Sequence, residues 1–412
     1  MSAVIPGNES TGAQAGRPIA LHPLTYLDQG DEVTVGRVDI DSYAVLPADG
    51  AALLRRLEAG AAPEVAAAWY QETYGETVDM EDFIAALREL DFVRETDEPA
   101  AAVVPVRWRR LGRAVFSPVS AVCFLALLTC CGIAMARSPV LLPRYHNLFF
   151  THYMTVLELT MFIGQFPLIL LHESAHALAG RRLGLRSSLS IGRRLYYMVF
   201  LTTMDGLVAV ERRKRFVPML AGIFADLGVL AVLTLFAAAT LRPDGQPSLA
   251  GAIALAFAYM TLLRLLWQFF FYLQTDLYYV VVTVLDCVDL QTTARRVLRN
   301  RLNRLLGRRH ALLDESRWHP RDRAVARWYS WLLLLGWTVS IGTLLLGVLP
   351  VAWRILSTVA ERLLHGPAGQ SAAGLADSVG FLAINLAQLA VIGYVVARDR
   401  RQRGPELKHV LS

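Results

Sequence analysis

Six apolar runs constrain this 412-residue chain more than anything else in it, falling near residues 114–136, 149–178, 216–241, 249–275, 328–352 and 377–397. Each is close to the roughly 20 residues that an α-helix needs to cross the hydrocarbon of a bilayer. Hydrocarbon offers backbone N–H and C=O groups no partner, so runs of this length enter it as helices. With 54% of its residues hydrophobic and only 18% charged, the chain departs from soluble composition in the same direction. The expected fold is mainly α: a polytopic membrane protein with about six transmembrane helices. The first 24 residues lack a basic start leading into an apolar core, so no cleavable signal peptide is expected and the spans themselves direct insertion. Residues 1–24 read as a disordered tail.

The net charge of +6 conceals a division along the chain. Residues 25–100 hold 18 acidic and 5 basic side chains, a balance of −13, whereas the chain beyond residue 100 holds 35 basic and 16 acidic ones, a balance of +19. The basic excess is nearly all arginine and lies between the apolar runs. Arg107, Arg109, Arg110 and Arg113 precede the first run, and Arg181, Arg182 and Arg186 follow the second. Arg212, Arg213, Lys214 and Arg215 precede the third, the 295–309 segment follows the fourth, and Arg398, Arg400, Arg401 and Arg403 follow the sixth. Six spans put every one of these clusters on one side of the membrane, and basic loops favour the cytoplasmic side and its anionic lipid. The expectation is a multi-pass protein of the cell membrane with both termini cytoplasmic. The basic surface then meets the lipid bilayer, not nucleic acid.

Residues 25–100 follow other periodicities. Val33, Val35, Val38, Ile40, Tyr43 and Val45 give short strand-like stretches. Asp49 reads as the cap of a helix carrying Leu53, Leu54 and Leu57, Pro63 opens another with Trp69 and Tyr70, and Asp79 starts a third with Phe83, Leu87 and Leu90. This is a small α+β, winged-helix-like cytoplasmic domain. Its order of strand pair, three helices and a closing Asp91-Phe92-Val93 resembles the PqqD-like peptide-recognition elements. Tyr43-Ala44-Val45-Leu46, Asp49-Gly50-Ala51 and Leu90-Asp91-Phe92-Val93 carry the likeness. The resemblance implies binding of leader peptides, alongside partner proteins that modify or export ribosomally made peptides. The alternative is a domain that only caps the membrane part.

The strongest chemical signal is His172-Glu173-Ser174-Ala175-His176 at the end of the second apolar run, an HExxH pattern. Helix residues four apart share a face, so His172 and His176 can hold one Zn²⁺ through imidazole nitrogens while Glu173 stands beside them as general base. In a soluble helix such a pattern is often two surface histidines and a solvated glutamate. Here it continues an apolar helix, where three ionisable side chains are costly unless they have partners such as a metal and water.

Two histidines leave a catalytic zinc site one protein ligand short. The chain at this point resembles the site-2 protease family of intramembrane zinc metalloproteases, in the branch of peptide zinc metalloproteases. The likeness rests on order: HExxH, then strand-like Leu195 to Val210, then Ala221-Gly222-Ile223-Phe224-Ala225-Asp226 in the next span, then Leu273-Gln274-Thr275-Asp276-Leu277 ending the one after. The family's later aspartate implies Asp276 as the third zinc ligand. Asp226 stands where the family often has Asn, and Leu277 replaces the glycine that usually follows the ligand. Depth agrees with Asp276, since the second and fourth runs both head inward and end near it, and ligands of one ion must meet at one level. Asp205, in Met204-Asp205-Gly206, is the competing ligand.

Other charges inside the spans need partners as well. Arg264 and Asp226 suit each other as a buried ion pair, with Glu158 as the rival partner. The strand-like 195–210 stretch offers an edge to an extended substrate, and Pro167 stands where a kink would open room. Cys123, Cys130, Cys131 and Cys287 show no CxxC spacing and read as small packing residues. The chain thus divides into a 1–24 tail, a 25–100 recognition domain, a 101–290 metalloprotease core, and a 291–412 part with a basic segment and two further spans. The expected function is hydrolysis of a peptide bond near the cytoplasmic face, in maturation or export of a ribosomally made peptide. Alternatives are regulated proteolysis of a membrane-anchored protein, or a non-catalytic membrane protein for peptide export or immunity.

Overall fold

The computed structural model describes residues 18–29, 31–94, 106–194, 197–316, 318–349, 353, 357 and 372–409. They form two compact units. The first takes in the described residues up to Ser117 together with Glu173–Arg193 and Met198–Ala221, and the second takes in Pro118–His172, Arg194–Tyr197 and the described residues from Gly222 onward.

The first unit opens with an antiparallel sheet of β1 (Thr25–Gln29), β2 (Glu32–Arg37) and β3 (Ser42–Pro47), in that order across the sheet. The central strand sends Val33 and Val35 into the core, with Val35 facing Tyr26 on one side and Ala44 on the other. Three helices cover it: α1 (Ala48–Glu58), α2 (Pro63–Tyr74) and α3 (Met80–Glu89). Leu53, Leu54 and Leu57 recur at helical spacing and are fully buried with Ala66, Leu87 and Phe92. Pro63 occupies the first turn of α2, and the Asp79 carboxylate accepts from Glu81 N and Asp82 N, which caps α3.

Three details depart from expectation. The strand pair is a triplet, because β1 lies upstream of the valine pattern, while Val38 and Ile40 fall in the turn between β2 and β3. Asp49 is not a cap but sits within the first turn of α1, where its carboxylate accepts from the Tyr70 hydroxyl and from Gly50 N. Leu21 bridges to Val93 and His22 is buried, so residues 21 and 22 belong to this domain and not to a tail. Residues 1–17 of the expected tail lie outside the described residues.

The same unit holds α4 (Arg109–Val115) and a hairpin of β4 (Arg186–Arg194) and β5 (Tyr197–Asp205). β5 is followed by Gly206, whose φ of 83° suits a residue without Cβ and whose N–H donates to Asp41 Oδ1 at 2.9 Å. β5 covers most of the strand expected at 195–210, of which residues 195 and 196 lie outside the described residues. β4 was not expected.

The second unit is helical, and two of the chain's long helices are shared with the first unit, to which Glu173–Arg182 and Arg212–Ala221 belong. Six helices among the described residues are long and apolar enough to cross a membrane: Pro118–Arg137, Met154–Arg182, Arg212–Ala239, Leu249–Trp267, Pro320–Leu346 and Ala372–Val391. They belong to α5 (Pro118–Arg137), α6 (Met154–Arg182), α7 (Arg212–Ala239), α8 (Leu249–Trp267), α11 (Pro320–Gly342) and α12 (Ala372–His409). Between α8 and α11 lie two shorter helices, α9 (Asp276–Leu285) and α10 (Leu290–Leu305). The chain is mainly α and has the architecture of a multi-pass membrane protein. α6 runs through Pro167 without interruption.

One boundary differs in a way that matters. The fourth span stops at Trp267 instead of running to 275, and a single turn at Phe271–Leu273 and a left-handed Gln274 (φ 55°) follow it. Asp276 therefore begins a new helix, and the helical rise does not carry through from Arg264 to it. Elsewhere in this unit, the arginine-rich α10 turns Leu290, Ala294 and Val297 onto Val325, Ala326, Tyr329 and Leu333 of α11. Asp377 of α12 accepts from the first backbone N–H groups of α6, Met154 N and Thr155 N, each at 2.9 Å.

Candidate metal centre

α6 is one continuous helix, so His172 and His176 stand one turn apart on one face, and both are buried. Each ring hands its Nδ1 to α7. His172 Nδ1 lies 3.0 Å from Asp226 Oδ2, and His176 Nδ1 lies 2.7 Å from the Pro218 carbonyl oxygen. Both partners only accept, so each ring donates from Nδ1, and Nε2 is the atom left to ligate a metal when the ring is neutral. Backing of this kind is what metal-ligating histidines need to fix tautomer and ring orientation.

Asp276 enters from the first position of α9. Its Oδ2 lies 3.2 Å from His172 Nε2. Gln268, the residue after α8, holds it in place: Gln268 Nε2 donates to Asp276 Oδ2 and Asp276 N donates to Gln268 Oε1, both at 3.0 Å. Thr275 Oγ1 donates to the Gln268 carbonyl at 2.6 Å and tightens the same turn. A carboxylate in the first turn of a helix is also favoured by the orphan N–H groups there. His172, His176 and Asp276 each offer one ligand atom, and those atoms lie within 4.8 Å of one another. Two imidazoles and a carboxylate make a donor set suited to zinc. Glu173 is half-buried, and Thr202 Oγ1 of β5 donates to its Oε2 at 2.6 Å and approaches its backbone carbonyl at 3.2 Å.

The remaining charges sort themselves. Arg264 pairs with Asp226 as expected, Nε to Oδ2 at 2.9 Å and a terminal nitrogen to Oδ1 at 2.5 Å. Glu158 is not its partner, for its carboxylate accepts from Asn385 Nδ2 at 3.1 Å and Gln388 Nε2 at 3.0 Å of α12. Asp205, the competing ligand, ends β5 and is absent from the metal-capable group among the described residues. Partial burial, and then the charge of Asp41, raise its carboxyl above the usual range. His146 packs its ring on Tyr145 in a single turn and lies outside the metal-capable group found among the described residues.

Sequence reasoning missed four supports: Pro218, Gln268, Thr202, and the contact of Asp226 with His172. Asp226 was visible as a charge that needed a partner, but nothing in the sequence says that one carboxylate serves an arginine and a histidine together. Comparison with protein-family models, with curated proteins and with solved structures finds nothing that matches this chain.

Proposed function

We propose that this chain is an intramembrane zinc metallopeptidase of the site-2 protease type, hydrolysing a peptide bond near the cytoplasmic face of the cell membrane, where both termini lie. The observation that carries the reading is the donor set on α6 and α9. Two buried histidines stand one turn apart, Asp276 lies 3.2 Å from the first, and Glu173 follows His172 on the same helix. His172, His176 and Asp276 would hold the ion, three protein ligands being the usual complement of a catalytic site. Bound zinc would supply Lewis acidity and a water acidified toward neutral pH.

The other steps belong to the chain's own side chains. Thr202 holds Glu173 through Oε2, so Oε1 takes the proton from the attacking water as its oxygen adds to the peptide carbonyl carbon. As the C–N bond breaks, the same carboxyl returns that proton to the leaving nitrogen. β4 and β5 pair only with each other among the described residues. An outer edge of this hairpin suits a substrate that must be extended before its backbone reaches a metal. The acidic N-terminal domain, with its PqqD-like order of elements, supports a ribosomally made peptide as substrate, cut during maturation or export.

Glu173→Gln tests the reading. It keeps the size and the zinc ligands but cannot accept the proton, so cleavage of a co-expressed peptide or membrane-protein substrate falls by about 10²-fold or more while bound zinc stays. A variant that processes peptide at the wild-type rate contradicts catalysis and favours a binding, export or immunity protein.

A further inference from the structure

Asp226 is completely buried in α7 and makes more contacts than an ion pair requires. Arg264 alone satisfies it in bidentate fashion, with Nε on Oδ2 and a terminal nitrogen on Oδ1. A third donor, His172 Nδ1, nonetheless comes to Oδ2 at 3.0 Å. The other terminal nitrogen of Arg264 donates to Gln165 Oε1 at 3.2 Å. Gln165 and His172 are seven residues apart on α6, two turns along one face. A carboxylate from α7 and a guanidinium from α8 thus grip α6 at two levels. Beside the upper one is Gly164, where a side chain would overlap the Phe257 ring of α8, so the helices can approach closely there.

We propose that Asp226 is a positioning residue for a divalent-cation centre, with Arg264 holding it in place; the inference rests on the zinc reading above. By accepting the Nδ1 proton, the carboxylate fixes the tautomer of His172 that has its lone pair on Nε2. It also sets the ring angle at which Nε2 faces Asp276. A charged acceptor makes the ring a stronger donor than a neutral one does. The two histidines are therefore unequal, His172 being backed by an anion and His176 by the Pro218 carbonyl. His172 would be the stronger donor of the two toward a divalent cation.

The test measures zinc affinity of the detergent-solubilised full chain by competition with a chromogenic chelator, beside the visible ligand-field bands of the Co²⁺-loaded protein. Asp226→Asn keeps the shape and an acceptor for Nδ1–H, so zinc binding weakens about 10-fold and the cobalt bands shift. Asp226→Ala removes the acceptor and weakens binding by about 100-fold. Arg264→Gln, which loosens Asp226 without removing it, falls between Asp226→Asn and the wild type. Circular dichroism on the same samples reports folding, and if Asp226→Ala does not fold, the near-isosteric Asp226→Asn carries the test. Wild-type affinity together with unshifted cobalt bands in folded Asp226→Asn overturns the positioning role and leaves a structural ion pair. His176→Ala is the control for the underlying reading: if it binds zinc as the wild type does, the metal centre itself falls and the positioning role with it.

Discussion

In the N-terminal domain the largest fully buried side chains are Phe92, Leu53, Leu54, Leu57 and Leu87, whereas α5 buries only Cys131 and turns Val119, Val122 and Leu125 outward. The wholly buried side chains of α7 and α8 include polar ones, Asp226, Thr234 and Thr261. One region folds against water and gathers its leucines inside; the other has the helices of a membrane protein, turning many apolar side chains outward while burying several polar ones. In water the gain from burial is roughly 25 cal/mol per Å² of apolar surface. Between helices already in lipid that gain is absent, and packing and polar contacts take its place. The Asp226–Arg264–His172 cluster is what such a region looks like where chemistry is also required.

The largest expected effect breaks the polar side of this comparison. Arg264→Ala leaves the buried Asp226 carboxylate with the His172 ring but without its guanidinium counter-ion, and destabilises the helical region by about 3 kcal/mol. Adding Asp226→Leu recovers much of that loss, as followed by denaturant unfolding in micelles; strict additivity would remove the coupling. Next comes the apolar side. Leu54→Ala in the N-terminal core costs about 3 kcal/mol, from lost transfer energy and a residual cavity, read as a fall in the unfolding midpoint. Charge placed on an exposed site then sharpens the contrast. Leu125→Arg, 61% exposed near the middle of α5, costs about 3 kcal/mol of membrane insertion. Val65→Arg, 57% exposed on α2, changes stability by less than about 0.5 kcal/mol. Equal effects on expression and insertion would mean that the two surfaces meet the same solvent.

A smaller loss than those of the core and the spans is a pH-dependent one in the N-terminal domain. The Tyr70 hydroxyl, and then Gly50 N, hold the Asp49 carboxyl below the usual range, while the same contact pushes the Tyr70 hydroxyl up to about 12. A carboxyl depressed in the folded state stabilises fully above its unfolded value, about 4, and loses that contribution as pH falls through the folded one. Tyr70→Phe therefore costs about 1 kcal/mol at pH 7 and flattens the loss of stability on acidification. Parallel acid profiles for variant and wild type would show that Asp49 is not linked to folding in this way.

Much of this architecture was legible because apolarity and capping are local signals. All six spans were found, as were the helix starts at Pro63 and Asp79, for which a few residues suffice. What escaped depends on contacts between distant segments. Trp267-Gln268-Phe269-Phe270-Phe271 reads as more of the same helix, and only the exchange between Gln268 and Asp276 reveals a break. β4 is rich in serine and arginine and takes its strand form from β5. The spacing of His172 and His176 was written in the sequence, but their backing by Asp226 and Pro218 depends on how α6 and α7 are rotated toward each other. No periodicity records that rotation.

The central claim is that His172, His176 and Asp276 hold zinc, and it is tested most directly by metal analysis of the purified protein in parallel with Asp276→Ala and Asp205→Ala. The account predicts one zinc per chain in the wild type and in Asp205→Ala, with zinc lost from Asp276→Ala. A full complement of zinc in folded Asp276→Ala would contradict it.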